Sequence, residues 1–267
     1  MNLITSLEHA QLAPFRELKK TNFTRWAPYF IAEGRLVSIR LLESDYEVES
    51  VLVAKSKWES MKPHIGNAEP LIVADDLVNQ LVGFQFHAGV MACGKRVKQK
   101  QLDVLLADSS KDRQWTLLAT PETSLPDNLG SLIRIAAAFG CDGIIVGNRS
   151  ADAFSRRVIR VSMGNVFNIP IIEPDDFDEC MNQLSSRFDC DIVAATLDPN
   201  SESLPAAKRR SRTCLMFGNE AKGLSEPQLQ LANRRVTLEM AAGIDSLNVA
   251  NAATVFLYHF TRVCQTF

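Results

Sequence analysis

Polar residues gather at three places where apolar segments end. One is Phe217-Gly218-Asn219-Glu220-Ala221-Lys222-Gly223-Leu224-Ser225, which follows the apolar run Cys214-Leu215-Met216. Its two glycines let the backbone turn sharply and approach a ligand closely. Asn219, Glu220 and Lys222 stand between them, and a loop that only had to turn would need none of that chemistry. Another is Asn128-Leu129-Gly130-Ser131-Leu132-Ile133-Arg134. Here Asn128 can cap the helix that follows, Gly130 permits close approach, and Arg134 is expected two turns on, facing the same general side. A guanidinium within Leu132-Ile133-Arg134-Ile135-Ala136 calls for a partner, and Glu220 is the candidate. The last is Ser246-Leu247-Asn248-Val249-Ala250-Asn251, after the glycine turn Ala242-Gly243-Ile244-Asp245. Ser246 can cap the terminal helix. Asn248 and Asn251 recur near its positive end, where amide donors and exposed N–H groups suit an anionic or carboxylate-bearing ligand.

Such residues need strands and helices to hold them. After about Gln114 the pattern alternates: strands at Trp115–Thr120, Gly143–Gly147, Asp191–Leu197, Thr213–Phe217 and near Val236–Met240. Between and after them come helices at Asn128–Phe139, Ala151–Ser162, Asp175–Phe188 and Ser246–Val263. Acids in the first turn of the third complement its dipole. Alternation of this kind argues for a parallel α/β sheet, whose ligands sit beyond the carboxyl ends of the strands. Before the polar stretch from Lys95 to Gln114, Phe30–Gly34 leads into a helical Leu36–Leu42, and Val51–Ala54 and Leu71–Val73 read as short strands. The chain thus divides into a small α/β region at 1–105 and a larger one at 114–267.

Composition narrows the field. With 267 residues, 46% hydrophobic and 22% charged, the chain is an ordinary globular protein without a membrane-length apolar run. Its first twenty residues mix acids, bases and prolines, unlike a signal peptide. Six cysteines form no Cys-x-x-Cys pair, so buried reduced thiols in a cytoplasmic protein are expected, and no metal site. Net charge is −2, yet bases cluster at Lys95-Arg96-Val97-Lys98-Gln99-Lys100, at Lys208-Arg209-Arg210-Ser211-Arg212 and at Arg149, Arg156, Arg157 and Arg160. Local patches of this kind can bind a phosphate backbone. A nicotinamide-dependent Rossmann enzyme is excluded, because no Gly-x-Gly-x-x-Gly follows any expected strand.

In order, Asn128-x-Gly130-x-x-x-Arg134, Gly218-Asn219-Glu220-x-x-Gly223-Leu224 and Ser246-Leu247-Asn248-Val249 resemble the three motifs of the SpoU/TrmH-type RNA 2′-O-methyltransferases. Gly34 and His87-Ala88-Gly89-Val90 resemble, more weakly, that family's N-terminal substrate-recognition domain. The resemblance implies a parallel-sheet catalytic domain whose C-terminal part threads a trefoil knot. It further implies a ribosomal-protein-like first domain, S-adenosylmethionine as methyl donor, tRNA or rRNA as substrate, and a homodimer with the site near the subunit interface. It nominates Arg134 to bind phosphate and polarise the ribose hydroxyl, Glu220 to orient Arg134 or the loop, Asn128 and Ser246 to position the ribose, and Asn248 to stabilise the site. Phe217, Gly218, Asn219, Gly223, Leu238, Met240 and Leu247 would contact the cofactor, Leu247 against its adenine. Two departures stand out: Leu125-Pro126-Asp127-Asn128 replaces Asp-Pro-Gly-Asn, and Leu238-Glu239-Met240-Ala241-Ala242 replaces Ile-Pro-Met-x-Gly. The alternative within the resemblance is a catalytically silent RNA-binding or assembly protein on the same scaffold.

Overall fold

The computed structural model describes residues 3–16, 18, 27–96, 102–106, 113–241 and 246–264. Along the chain its elements are β1 (Leu3–Ile4), β2 (Tyr29–Glu33), α1 (Arg35–Leu42), β3 (Val48–Ala54), α2 (Trp58–Met61), β4 (Pro70–Val73), α3 (Asp75–Val82), β5 (Val90–Lys95) and α4 (Leu102–Leu106). There follow β6 (Trp115–Thr120), α5 (Pro126–Ala138), β7 (Gly143–Val146), α6 (Arg156–Val161), β8 (Ile171–Ile172), α7 (Phe177–Phe188) and β9 (Asp191–Thr196). The last are β10 (Glu202–Ser203), β11 (Arg212–Met216), α8 (Glu226–Gln230), β12 (Arg234–Thr237) and α9 (Val249–Tyr258). They form two compact units, Met1–Lys98 with Phe154–Asn168, and Gln99–Ala153 with Ile169–Phe267. The segment Phe154–Asn168, which carries α6, therefore lies in sequence among the strands of the second unit and in space with the first.

The first unit is built on a mixed sheet of order β1-β4-β3-β5-β2, antiparallel at β3–β5 and β5–β2 and parallel elsewhere. Sequence reading missed β5, although Val90-Met91-Ala92-Cys93 is an apolar run bounded by glycines. Phe30 on β2 is fully buried among aromatic rings: 5.8 Å from Tyr46, 5.3 Å from Phe154 and 5.5 Å from Phe167, centroid to centroid. Its ring fits because β5 has Gly94 opposite, where a Cβ would stand 2.4 Å from the ring. Two of those partners come from Phe154–Asn168. Polar contacts hold the same segment: Glu33 pairs with Arg160 at 3.3 Å and Arg156 at 3.8 Å, and Arg40 donates to the Met163 carbonyl.

The second unit is a seven-stranded, wholly parallel sheet of order β10-β12-β9-β11-β6-β7-β8. Every residue of β6 and β7 is buried, as expected of central parallel strands covered on both faces. Helix starts differ from the sequence reading in ways that matter for the site. Pro126 opens α5, since its missing N–H costs nothing there, so Asn128 sits inside the first turn and does not cap it. α9 begins at Val249, and its cap is Asn248, whose Oδ1 accepts from the Ala250 amide at 2.9 Å; Ser246 does not cap it. α6 begins only at Arg156, capped by Ser155, and Ala151–Ser155 is not helical.

Candidate active site

The polar motif residues that the sequence marks out, Arg134 and Asn251 excepted, meet at the carboxyl end of the second sheet. β9 and β11 are neighbours there. The chain leaving β11, the chain leaving β12 and the start of α9 enclose a cleft of about 350 Å³ with the end of β9. Phe217, Gly218, Asn219, Glu220, Gly223, Leu238, Met240, Ser246 and Leu247 line it. Phe217 is buried with its ring edge-on to Phe256 of α9, 5.5 Å away, which fixes the root of the loop.

The loop itself is rigid by construction. Asn219 and Gly223 exchange backbone hydrogen bonds of 3.0 and 2.9 Å, and the Asn219 side-chain oxygen accepts from the amides of Ala221 and Lys222 at 3.0 and 3.2 Å. Gly223 has φ +67°, in the left-handed region. At Gly218 the demand is steric, because a Cβ would lie 2.2 Å from the Gly223 carbonyl carbon. Gly218 is thus required by the close approach of the backbone at 223, and Gly223 by its own φ.

Behind the loop runs a directed polar chain. Asn248 uses its side-chain oxygen to cap α9, so its amide nitrogen is left to donate to Asn128 Oδ1, at 2.9 Å. Asn128 then donates in turn to Glu220 Oε1, at 3.0 Å. Each amide orientation follows from the previous one, and the chain ends on a carboxylate. The Leu125 amide, 3.4 Å from the same oxygen, and the Ser124 hydroxyl, 3.5 Å from Oε2, complete its surroundings. Asn128 is buried although it lines no part of the cleft.

Arg134 is the larger exception. Six residues at about 100° each put it roughly 120° around α5 from Asn128, so the two cannot share a face. It is exposed, beside the exposed Asp127, and among the described residues it has no hydrogen bond or ion pair. The expected pairing of Glu220 with a semi-buried Arg134 is therefore wrong: the carboxylate is taken by Asn128, and the guanidinium faces outward. Asn251 is likewise exposed on α9. The expected turn Ala242–Asp245 lies outside the described residues, as does most of Lys95–Lys100.

Sequence reading also missed part of the wall. Ala195, Thr196, Leu197 and Asp198 at the end of β9 line the cleft. Asp198 is turned inward on its own loop, accepting from the Asn200 amide at 2.9 Å. Their signal was available only once the strand order placed β9 beside β11. The basic clusters are less free than their sequence suggests. Arg209 donates to Thr116 Oγ1 at 2.9 Å and Arg212 to the Phe188 carbonyl at 2.7 Å, while Arg149 meets Glu122 at 3.3 Å. Burial lowers the affinity of Arg209 and Arg156 for their protons. Of the six thiols, five are buried and none is in a disulfide. Burial pushes Cys93 and Cys141 up to about 12 and Cys180 to about 11, so none of the three is a nucleophile near neutrality.

Comparison with known proteins covers both units. The model of the SpoU rRNA Methylase family matches residues 116–258. An uncharacterized tRNA/rRNA methyltransferase of Mycobacterium bovis is 32% identical over 87% of this chain and 80% of its own. A 23S rRNA uridine 2′-O-methyltransferase of Streptomyces viridochromogenes is 34% identical over 51% of this chain and 49% of its own. The crystal structure of the SpoU methyltransferase AviRb from Streptomyces viridochromogenes in complex with the cofactor AdoMet superposes with a TM-score of 0.72. It is 27% identical, covering 88% of this chain and 90% of that one.

Proposed function

The chain belongs to the SpoU rRNA methylase family, and from that premise we propose that it transfers a methyl group from S-adenosylmethionine to a ribose 2′-hydroxyl of tRNA or rRNA. The observation that carries the reading is the cleft at the ends of β9 and β11, backed by the chain from Asn248 through Asn128 to Glu220. Its residues fit the cofactor. A purine needs an apolar slot, which Leu238, Met240 and Leu247 supply; the ribose and amino-acid ends need polar contacts, which backbone about Gly218 and the Ser246 hydroxyl offer. When bound, the cofactor supplies a methyl carbon already activated by a sulfonium.

The chain's own task is alignment and the management of one proton. Ser246 positions the ribose; Asn128, which the resemblance would also put there, acts behind the cleft instead, because Asn248 fixes its amide and it holds Glu220, which locks the loop. Arg134 binds the phosphate of the target nucleotide and polarises its hydroxyl, because a guanidinium stays protonated and donates only. Its outward placement suits a homodimer. Val255 and Tyr258 on α9 are 39% and 56% exposed and Leu125 before α5 is 54% exposed, a surface that a second copy would cover while bringing Arg134 to the partner's cleft.

Transfer of labelled methyl from the cofactor to RNA, followed by nucleoside mass spectrometry, tests this. A 2′-O-methylated nucleoside is expected, and Arg134→Ala should cut turnover by about 10²- to 10⁴-fold while cofactor binding survives. A base-methylated product, or near-normal turnover by Arg134→Ala, would overturn the assignment; binding of RNA with no transfer at all would favour the silent scaffold.

A further inference from the structure

The cleft's inventory of charge is uneven. Among the described residues that line it, Lys222 is the single cation, beside the carboxylates of Glu220 and Asp198. Both carboxylates have internal donors: Asn128 for Glu220, and the Asn200 amide with its side chain for Asp198. Lys222 is exposed, and among the described residues its ammonium has no hydrogen bond or ion pair.

The loop explains why that ammonium would matter. A glycine-bracketed turn can bind an anion through its own amides, but here four of them are taken. The amides of Asn219 and Gly223 donate to each other's carbonyls, and those of Ala221 and Lys222 donate to the Asn219 side chain. Those four bonds withdraw the amides around Lys222 from anion binding and hold its Cα beside the cleft, so the Lys222 side chain is the charged group with which this part of the loop can hold an anion. A lysine on a flexible stem acts as a hydrated point charge that can follow a mobile phosphate. Glu220 lies two residues away and would repel an incoming polyanion, which gives the cation a second task.

We infer that Lys222 is a positioning residue that receives a backbone phosphate of the substrate RNA next to the target nucleotide. The inference rests on the RNA-methylating role proposed above. It assigns Lys222 a different phosphate from that of Arg134, and it sets RNA affinity where Arg134 sets turnover.

The test compares Lys222→Ala and Lys222→Arg in the full chain, with total RNA from cells lacking the gene as substrate and as filter-binding probe. One lost phosphate contact should weaken RNA binding by about fivefold and reduce the slope of log K against log[salt] by about 0.7–0.9. Turnover at saturating RNA and cofactor affinity by calorimetry should stay at the parent values, and Lys222→Arg should restore both affinity and slope. Unchanged RNA affinity and slope in Lys222→Ala would overturn the inference. So would weakened cofactor binding with RNA binding intact, since the anion would then be the cofactor's carboxylate. Because filter binding needs no turnover, failure of methyl transfer in the parent protein would sink the enzymatic reading and leave this measurement standing.

Discussion

In the first unit acids and bases answer one another. Glu33 holds Arg156 and Arg160, Lys95 lies 2.5 Å from Glu47 and 3.2 Å from Glu49, and aromatic rings fill the space behind. The second unit has closed groups too, among them Asp191 with Arg234 at 2.6 Å and Glu202 with the same arginine at 3.1 Å, and Arg187 with Asp103 at 2.9 Å. Its polar line from Asn248 to Glu220, by contrast, ends at an opening. A polar network that closes on itself stabilises; one that ends at a cleft has capacity left for a ligand. That difference separates scaffold from site here better than the density of charge does.

Three measurements test the contrast. The largest effect should come from alkaline pH. Cys141, Cys180, Cys190 and Cys214 of the second unit are buried with raised proton affinity, against Cys93 alone in the first. Above about pH 9 the unfolded chain releases these protons and the folded chain keeps them, so stability is complete below that pH and falls as pH rises. Each thiol contributes a loss of about 1.4 kcal/mol per pH unit. Between pH 9 and 10.5 the second unit should lose upward of about 5 kcal/mol and the first about 2. Amide exchange resolved by strand would show it, and equal losses would refute the thiol assignment.

Next in size is Phe154→Ala. Removing this buried ring should cost about 3–5 kcal/mol and raise exchange in β2 and α1 while β6 and β9 stay protected. Opening of β6 and β9 to the same degree would show that Phe154–Asn168 is not an element of the first unit. The smallest effect is expected from Lys95→Ala. Its ammonium is bound to two exposed glutamates, a surface arrangement of little net worth. RNA affinity should barely change, and a marked loss would return Lys95 to the list of phosphate contacts.

Much of the second unit was legible in the sequence, for a physical reason. Parallel strands buried on both faces leave continuous apolar runs such as Trp115–Thr120 and Thr213–Phe217, and polar residues just beyond them stand out. The loop after β11, with Glu220 and its paired glycines, was therefore visible. Errors came where side-chain direction decides. Asn128 and Arg134 are near in sequence but turn different faces, and the cap of α9 passed from Ser246 to Asn248 because the helix starts three residues later than expected. The end of β9 carries Thr196 and Asp198, but nothing in their spacing ties them to the loop after β11, so Ala195–Asp198 joined the wall only through sheet order. Nothing in the spacing of Phe154, Ile159 and Phe167 says which unit's core they enter.

That segment bears on how such a protein can be rearranged over generations. A crossover in the stretch between β5 and β6 would exchange everything before the parallel sheet as one cassette. Here the incoming cassette would also have to provide a seat for Phe154 and Phe167, an acid where Glu33 stands, and a small residue where Gly94 makes room for Phe30. Inheritance across that junction is coupled. Substitutions in β2 and α1 should be tied to substitutions more than a hundred positions away in Phe154–Asn168, so the two halves descend as a pair and not as interchangeable parts.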